Sequence, residues 1–348
     1  MRFSRVSLLG LTHLLPDEAW TSAVIEERLA AVYDRLGLNL GRLEWMSGVA
    51  ERRVWPPNTR PSTVATRAGA DLLAETDFPR ERVGMLVYGG VCRDFLEPAT
   101  ASVVHRDLEL PPNCEAFDLS NACLGFLDAM SLVAARIEAG QIDAGLVVTG
   151  ESARPLLEQT MRHLTAPGSD RQAMKRAYAS LTTGSAAAAA LLVDSSLATS
   201  FGAHHPRLIS ATHRSATTHV DLCSGDLADG SAGPLMETDA EGLLLAGTDL
   251  AAETWHAFLQ EAAWQADQVD RILTHQVGSA HRRLLLETLE FPDDRDYPTF
   301  PTLGNTGSAA LPTALALAQE GDFLRAGDRV ALLGIGSGIH CRMAALEW

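Results

Sequence analysis

An internal repeat is the feature of this sequence that most constrains its fold. The segment Leu-Ser-Asn-Ala-Cys-Leu-Gly around Asn121 resembles the segment Leu-Gly-Asn-Thr-Gly-Ser-Ala around Asn305, and the two asparagines lie 184 positions apart. The apolar run before Gly150 matches the run before Gly334 at the same separation. A turn, a helix, a loop, an apolar strand and a glycine thus occur twice in one order, which predicts a duplicated fold.

Short apolar runs alternate with helical patterns along the 348 residues, which indicates an α/β architecture. The predicted strands are 83–88, 116–119, 146–149, 186–193, 271–273 and 330–333, with a further strand near the N-terminus. The predicted helices include 21–36, 124–139 and 250–264.

We expect two halves, residues 1–195 and 196–348. Residues 151–181 are the least regular part of the first half. Their charge and the breakers Pro155, Pro167 and Gly168 argue against a core element, so they are interpreted as an insertion or lid.

The composition excludes several classes of function. A formal net charge of −16 argues against a nucleic-acid binder, because phosphate contacts come from Lys and Arg. The five cysteines are odd in number and form no C-x-x-C, so neither a metal site nor a disulfide framework is expected. A reducing cytoplasm fits better. No apolar stretch reaches the ~18 residues of a membrane span.

Basic residues are scattered, and the densest are three adjacent pairs. Such pairs are usually solvated, although one of them could contact a phosphate-bearing ligand such as coenzyme A. The pairs are Arg52/Arg53, Lys175/Arg176 and Arg282/Arg283.

Cys123 lies between a predicted strand and a predicted helix. At a helix N-terminus, free N–H groups and the positive end of the dipole stabilise a thiolate, which would raise the ionised fraction of an ordinary thiol. Taken alone, the residue fits a buried, inert cysteine better, since that is the usual state of a free cysteine.

Two further polar residues sit at turns. His275 follows the apolar strand 271–273, a position that often carries site residues in α/β folds, although a lone histidine there is usually structural. Asn305 beside glycine is ordinary turn chemistry on its own. The glycine-rich turn around Ser337 lets backbone approach a ligand, and a backbone N–H oxyanion hole suits it better than a phosphate site because no helix signal follows.

Together these segments resemble the thiolase superfamily, specifically its ketoacyl synthase III-like condensing enzymes, over essentially the whole chain. The resemblance implies a duplicated five-layer αβαβα thiolase fold, a catalytic triad of Cys123, His275 and Asn305, and a homodimer. It is strongest to the subgroup that condenses two fatty acyl-CoA molecules head to head. Within that subgroup, a glutamate matching Glu97 crosses the dimer interface to the partner's active site. From sequence alone, Glu97 would be a surface-loop carboxylate.

The resemblance implies a non-decarboxylative Claisen condensation of two long-chain acyl-CoA molecules through a Cys123 thioester. Backbone N–H groups of Cys123 and Ser337 would form the oxyanion hole, and Glu97 would remove the α-proton. The expected product is a 2-alkyl-3-ketoacyl compound for hydrocarbon or olefin synthesis. Coenzyme A thioesters are substrates, no cofactor is expected, and downstream pathway enzymes are possible partners.

Three alternatives remain open at this point. A ketoacyl-ACP synthase III of fatty-acid or polyketide synthesis would condense acyl-CoA with a malonyl thioester and make its carbanion by losing CO₂. A cysteine hydrolase also uses Cys, His and Asn in chain order, but its local signature around the cysteine is missing here. A non-catalytic acyl-binding subunit would not need all three polar residues.

Overall fold

The computed structural model describes residues 1–202, 204–227 and 234–348. Its strands in chain order are β1 Val6–Leu14, β2 Ala19–Thr21, β3 Glu51–Arg53, β4 Met85–Gly89, β5 Glu115–Leu119, β6 Ala144–Glu151, β7 Ala186–Asp194, β8 Arg207–Ser215, β9 Cys223–Leu227, β10 Pro234–Thr238, β11 Arg271–Thr274, β12 Arg329–Gly336 and β13 His340–Glu347.

The α-helices of the described residues range from single turns to a long helix in the second half. They are α1 Ser22–Arg28, α2 Ala30–Leu36, α3 Arg42–Ser47, α4 Pro61–Glu75, α5 Thr100–Asp107, α6 Gly125–Glu138, α7 Arg154–Thr165, α8 Arg171–Ala177, α9 Ser195–Ala198, α10 Ala240–Ala262, α11 Ser279–Thr288, α12 Phe300–Leu303 and α13 Ala310–Glu320.

Nine strands form one mixed sheet in the order β5-β4-β6-β7-β1-β8-β13-β12-β11. Counted in chain order, the five strands before residue 195 lie side by side as third (β5), second (β4), fourth (β6), fifth (β7) and first (β1). The later strands repeat this order as β11, β12, β13 and β8, the second, fourth, fifth and first of their set. The third strand of that set is reduced to a parallel bridge between Ile272 and Asp296. The two sets meet where β1 pairs with β8 at Ser7 and Arg207. This repeated strand order confirms that the fold is duplicated.

Helices enclose and separate the two parts of the sheet. The largest apolar cluster contains residues of α6 and α13 between the two sets of strands, including Phe126, Met130, Leu311 and Leu315. A second cluster joins α4 and α5 to the outer face of the first set, and a third joins α10 and α11 to the outer face of the second. Helix, sheet, helix, sheet and helix thus alternate, which confirms the five-layer αβαβα prediction.

The alanine run at 186–190 lies in β7, an interior strand of the sheet. Its residues are completely buried, because α4 packs on one face of the sheet while α6 and α13 pack on the other. Small side chains let helices approach closely on both faces.

Two local expectations about helices and core are wrong. The helix expected over 21–36 is two helices, because Leu29 leaves helical geometry between α1 and α2. Residues 151–181 do contribute to a core: α7 and α8 bury Leu157, Leu164 and Met174 in an apolar cluster, since their apolar residues recur at helical spacing between the breakers.

Two of the basic pairs also differ from the expected solvated state. Arg52 is fully buried and donates hydrogen bonds of 3.1 Å to the Trp20 carbonyl oxygen and the Ser22 hydroxyl. Arg282 pairs with the buried carboxylate of Asp296 at 2.6 Å. Both guanidinium groups therefore fix the fold. Among the described helices, none is both long and apolar enough to cross a membrane.

Candidate active site

Cys123 lies in the turn between β5 and α6, as the sequence predicts. The preceding residue, Ala122, has a φ of 47°, a left-handed conformation that costs a non-glycine residue roughly 1–2 kcal/mol. The Asn121 side chain stabilises the turn, because its Nδ2 donates to Asp128 Oδ2 on α6 at 2.6 Å. The sharp turn thus places the cysteine two positions before Gly125, the first residue of α6.

The thiol of Cys123 is not ionised by this position. Burial raises the pKa of Cys123 to about 12, and the nearby Glu151 carboxylate and Cys223 thiol raise it further in the same direction. The expectation of a larger ionised fraction is therefore wrong, because burial and a neighbouring negative group outweigh the helix terminus.

His275 follows directly after β11. Its backbone N–H donates to the Leu333 carbonyl oxygen on β12 at 2.7 Å, which fixes the residue at the end of the sheet. Both ring nitrogens are buried and have no hydrogen-bond partner in the described chain. Burial, followed by the nearby His281, lowers the pKa of His275 to about 4, so the ring is neutral at pH 7. A neutral ring can accept a thiol proton or donate to a substrate oxygen.

Asn305 lies in the turn after α12 and is fixed through its backbone. Its N–H donates to the Thr182 carbonyl oxygen at 3.0 Å, and its carbonyl oxygen accepts from the Gly184 N–H at 2.8 Å. Its side-chain Oδ1 accepts from the Gly307 N–H at 3.0 Å. This acceptor bond orients the carboxamide and leaves Nδ2 as the group that can donate to a ligand.

The turns that carry these residues are joined to one another. The Ser308 hydroxyl, three residues after Asn305, donates to the Ala122 carbonyl oxygen at 2.8 Å. Ser337 lies in the turn between β12 and β13, and an added Cβ on the adjacent Gly336 would lie only 3.0 Å from Leu124 Cγ. Close approach of β12 to the cysteine turn explains the glycine. The cysteine turn, the asparagine turn and the end of β12 thus lie close together. In the described chain, the His275 ring is not hydrogen-bonded to Cys123 or Asn305.

Glu97 lies in the loop 91–98 between β4 and α5. It is exposed, and in the described chain its carboxylate has no hydrogen bond or ion pair. The same loop, 91–98, carries large apolar side chains that are also exposed: Leu96 is 89% exposed and Val91 is 48% exposed. The structure of one chain thus leaves Glu97 and its apolar neighbours on the surface.

Glu151 is a buried residue of this region that the sequence analysis missed. It is the last residue of β6 and accepts hydrogen bonds from the backbone of two other site segments. The sequence carried a signal for it, since Glu151 follows the predicted strand 146–149 by two positions, as His275 follows the predicted strand 271–273.

Comparisons with known proteins identify the family. Residues 117–205 match the family described as 3-oxoacyl-[acyl-carrier-protein] synthase III, and residues 259–348 match its C-terminal family. An acyl-CoA:acyl-CoA alkyltransferase of Shewanella oneidensis is 39% identical over all of both chains. One from Xanthomonas campestris is 36% identical, also over all of both chains.

Two further matches set the range of similarity. A beta-ketoacyl-[acyl-carrier-protein] synthase III of Neisseria gonorrhoeae is 25% identical over 88% of this chain and 90% of that protein. A crystal structure of a Xanthomonas campestris OleA variant with bound lauric acid and lauroyl-CoA superposes with a TM-score of 0.94 at 36% identity, covering 99% of this chain and 100% of that one. The chain therefore belongs to the acyl-CoA:acyl-CoA alkyltransferase (OleA) family of thiolase-fold, 3-oxoacyl synthase III-like condensing enzymes.

Proposed function

We propose that this protein condenses two long-chain acyl-CoA molecules head to head, without decarboxylation, through an acyl thioester on Cys123. The observation that carries the proposal is the buried, unpaired imidazole of His275 at the end of β11. Its backbone binds Leu333 on β12, the strand whose Gly336 packs against Leu124 beside Cys123. Full-length similarity to acyl-CoA:acyl-CoA alkyltransferases supports the choice of substrate.

The first half-reaction transfers an acyl group to Cys123. The sulfur attacks the thioester carbon, the thiol proton passes through the neutral His275 to the departing sulfur, and coenzyme A leaves as a free thiol. Backbone N–H groups of Cys123 and Ser337 stabilise the tetrahedral oxyanion. Each such donor is worth roughly 10²–10³-fold in rate.

The second half-reaction forms the carbon–carbon bond. His275 and the Nδ2 of Asn305 donate to the thioester oxygen of the second acyl-CoA, which stabilises the enolate when the α-proton leaves. Glu97 of the partner subunit accepts that proton. The α-carbon then attacks the acyl carbon on Cys123, whose sulfur departs as thiolate and regains a proton. The product is a 2-alkyl-3-ketoacyl-CoA, or the keto acid after hydrolysis, as a precursor of hydrocarbons or olefins.

A homodimer follows from this assignment of Glu97. The carboxylate is exposed in one chain and stands among exposed apolar side chains, as expected for a loop that a partner covers. The chemistry needs no cofactor beyond the coenzyme A of its substrates, and a reducing compartment such as the cytoplasm keeps the thiol free.

The second candidate is a decarboxylative ketoacyl synthase III, which the family descriptions and the synthase relatives at 25% identity favour. Product analysis separates the two. Purified protein receives one acyl-CoA with no malonyl donor, and products are identified by mass spectrometry across several chain lengths. We expect a keto product built from two identical acyl groups. Product that forms only after a malonyl thioester is added would establish the synthase instead.

A further inference from the structure

We propose that Glu151 is a positioning residue for the condensation, fixing the loop that carries Glu97 to the turn that carries Asn305. This inference rests on the function proposed above, because it concerns the placement of the residues that form and use the enolate. Glu151 touches none of the reacting atoms in this account, and it acts through the segments that it holds.

The contacts of Glu151 reach both segments. Its Oε1 accepts from the Val91 N–H at 2.8 Å and from the Ser308 N–H at 3.3 Å, while its Oε2 accepts from the Cys92 N–H at 3.1 Å. Val91 and Cys92 begin the loop that continues to Glu97, and Ser308 follows Asn305 by three residues. One carboxylate therefore joins the base-bearing loop to the amide-bearing turn.

The fit around Glu151 is tight. The residue is 4% exposed, and an added Cβ on Gly307 would lie 3.2 Å from the Glu151 Cδ atom. In the described chain it pairs with no Lys or Arg, so backbone N–H groups and the Cys92 thiol stabilise its charge. Burial raises the pKa of Glu151, and these donors counter the rise. A buried carboxylate without a cation is costly, which favours a role beyond packing.

The same carboxylate acts on the nucleophile. After burial, Glu151 is the largest cause of the raised pKa of Cys123, and Cys223 is the other titratable group that raises it. Removing the Glu151 charge should therefore lower the thiol pKa and make Cys123 more reactive. At the same time, condensation should weaken because the two segments lose their common anchor. A residue that only supports the fold would not change these two quantities in opposite directions.

Glu151→Gln is the main test, since it removes the charge at nearly constant volume. Its amide has a single acceptor oxygen, so its NH₂ group must face at least one of the backbone donors. Alkylation of Cys123 by iodoacetamide is followed by peptide mass spectrometry across pH, and condensation is measured by product formation. Glu109→Gln, on an 81% exposed side chain, is the control.

We expect Cys123 in Glu151→Gln to alkylate at lower pH than in the wild type. Condensation should fall by about tenfold or more while acyl-enzyme still forms, because a misplacement of about 1 Å can cost ~10²-fold. Unchanged condensation overturns the inference. A parallel loss of acylation and condensation with an unchanged alkylation profile also overturns it, since that result indicates a structural role alone.

Glu151→Asp tests the inference if the glutamine variant does not fold. The aspartate retains the charge but is shorter by one methylene, so it should preserve the alkylation profile of Cys123 and still impair condensation. Normal condensation by this variant overturns the inference. If the wild type itself gives no condensation product, the proposed function fails, and that failure is distinct because it does not involve the variants.

Discussion

The Ser308 hydroxyl donates a hydrogen bond of 2.8 Å to the carbonyl oxygen of Ala122, the residue immediately before Cys123. This bond joins the asparagine turn of one half to the cysteine turn of the other, 186 residues away in sequence. The duplicated fold thus brings its two matched turns into direct contact, and the candidate site forms where they meet.

Ser308→Ala tests this contact alone, because the Ser308 N–H that binds Glu151 is retained. We expect the free energy of unfolding to fall by about 1 kcal/mol, the usual net value of one hydrogen bond, and acylation of Cys123 to slow as its turn loosens. Denaturant unfolding measures the free energy of unfolding. Mass spectrometry of samples quenched at successive times measures the rate of acylation. Ser102→Ala, on an exposed face of α5, is the control, expected within about 0.5 kcal/mol of the wild type. Equal behaviour of the two variants would show that the contact has no role.

Cys123→Ala should abolish acyl-enzyme formation, since no other described thiol lies in the cysteine turn. Intact-protein mass spectrometry after incubation with acyl-CoA measures the adduct. Cys114→Ala, at a buried cysteine before β5, should acylate normally. An adduct that persists in Cys123→Ala would remove the nucleophile assignment.

Glu97→Ala should form the acyl-enzyme and then fail to condense, because the α-proton has no acceptor. If Glu97 acts across a dimer interface, mixed dimers of Glu97→Ala with Cys123→Ala recover activity. One of their two sites then combines an intact Cys123 with the partner subunit's Glu97. We expect up to half of the wild-type rate in co-expressed mixed dimers and none in either parent. Mixed dimers as inactive as their parents would place Glu97 within its own chain or outside the reaction.

The neutral state of His275 predicts a pH dependence of stability. Its pKa is about 4 in the folded chain, below the ordinary value of 6.5 that applies after unfolding. As the pH falls through 6.5, the unfolded chain gains a proton that the folded chain does not, so stability is lost progressively down to about pH 4. Above pH 6.5 the residue contributes nothing to this dependence.

His275→Asn should therefore lose less stability than the wild type between pH 7 and pH 4.5, by about 2 kcal/mol, since each pKa unit corresponds to about 1.4 kcal/mol. Denaturant unfolding at both pH values measures the difference. His163→Asn, on an exposed side chain of α7, should retain the full wild-type dependence. Identical slopes for His275→Asn and the wild type would contradict a buried neutral imidazole.

Local pattern was sufficient to predict a duplicated α/β fold and the turns of the candidate site, whereas the five-layer arrangement followed from the family resemblance. The repeat around Asn121 and Asn305 predicted duplication, and the strand-to-turn settings of Cys123 and His275 singled out those residues. Glu151 was missed because it was taken as the start of an irregular segment, and its partners lie about 60 and 157 residues away. The raised pKa of Cys123 was likewise unpredictable, since it arises from burial and from that distant carboxylate.

The most direct test of the account is a crossed condensation from an isolated acyl-enzyme. Protein carrying a tetradecanoyl group on Cys123 is freed of excess substrate and then mixed with decanoyl-CoA, with no malonyl donor present. We predict a single crossed keto product in which the tetradecanoyl carbon is bonded to the α-carbon of the decanoyl chain, appearing as the adduct on Cys123 disappears. An adduct that only hydrolyses, or that yields product solely when a malonyl thioester is supplied, would contradict the account.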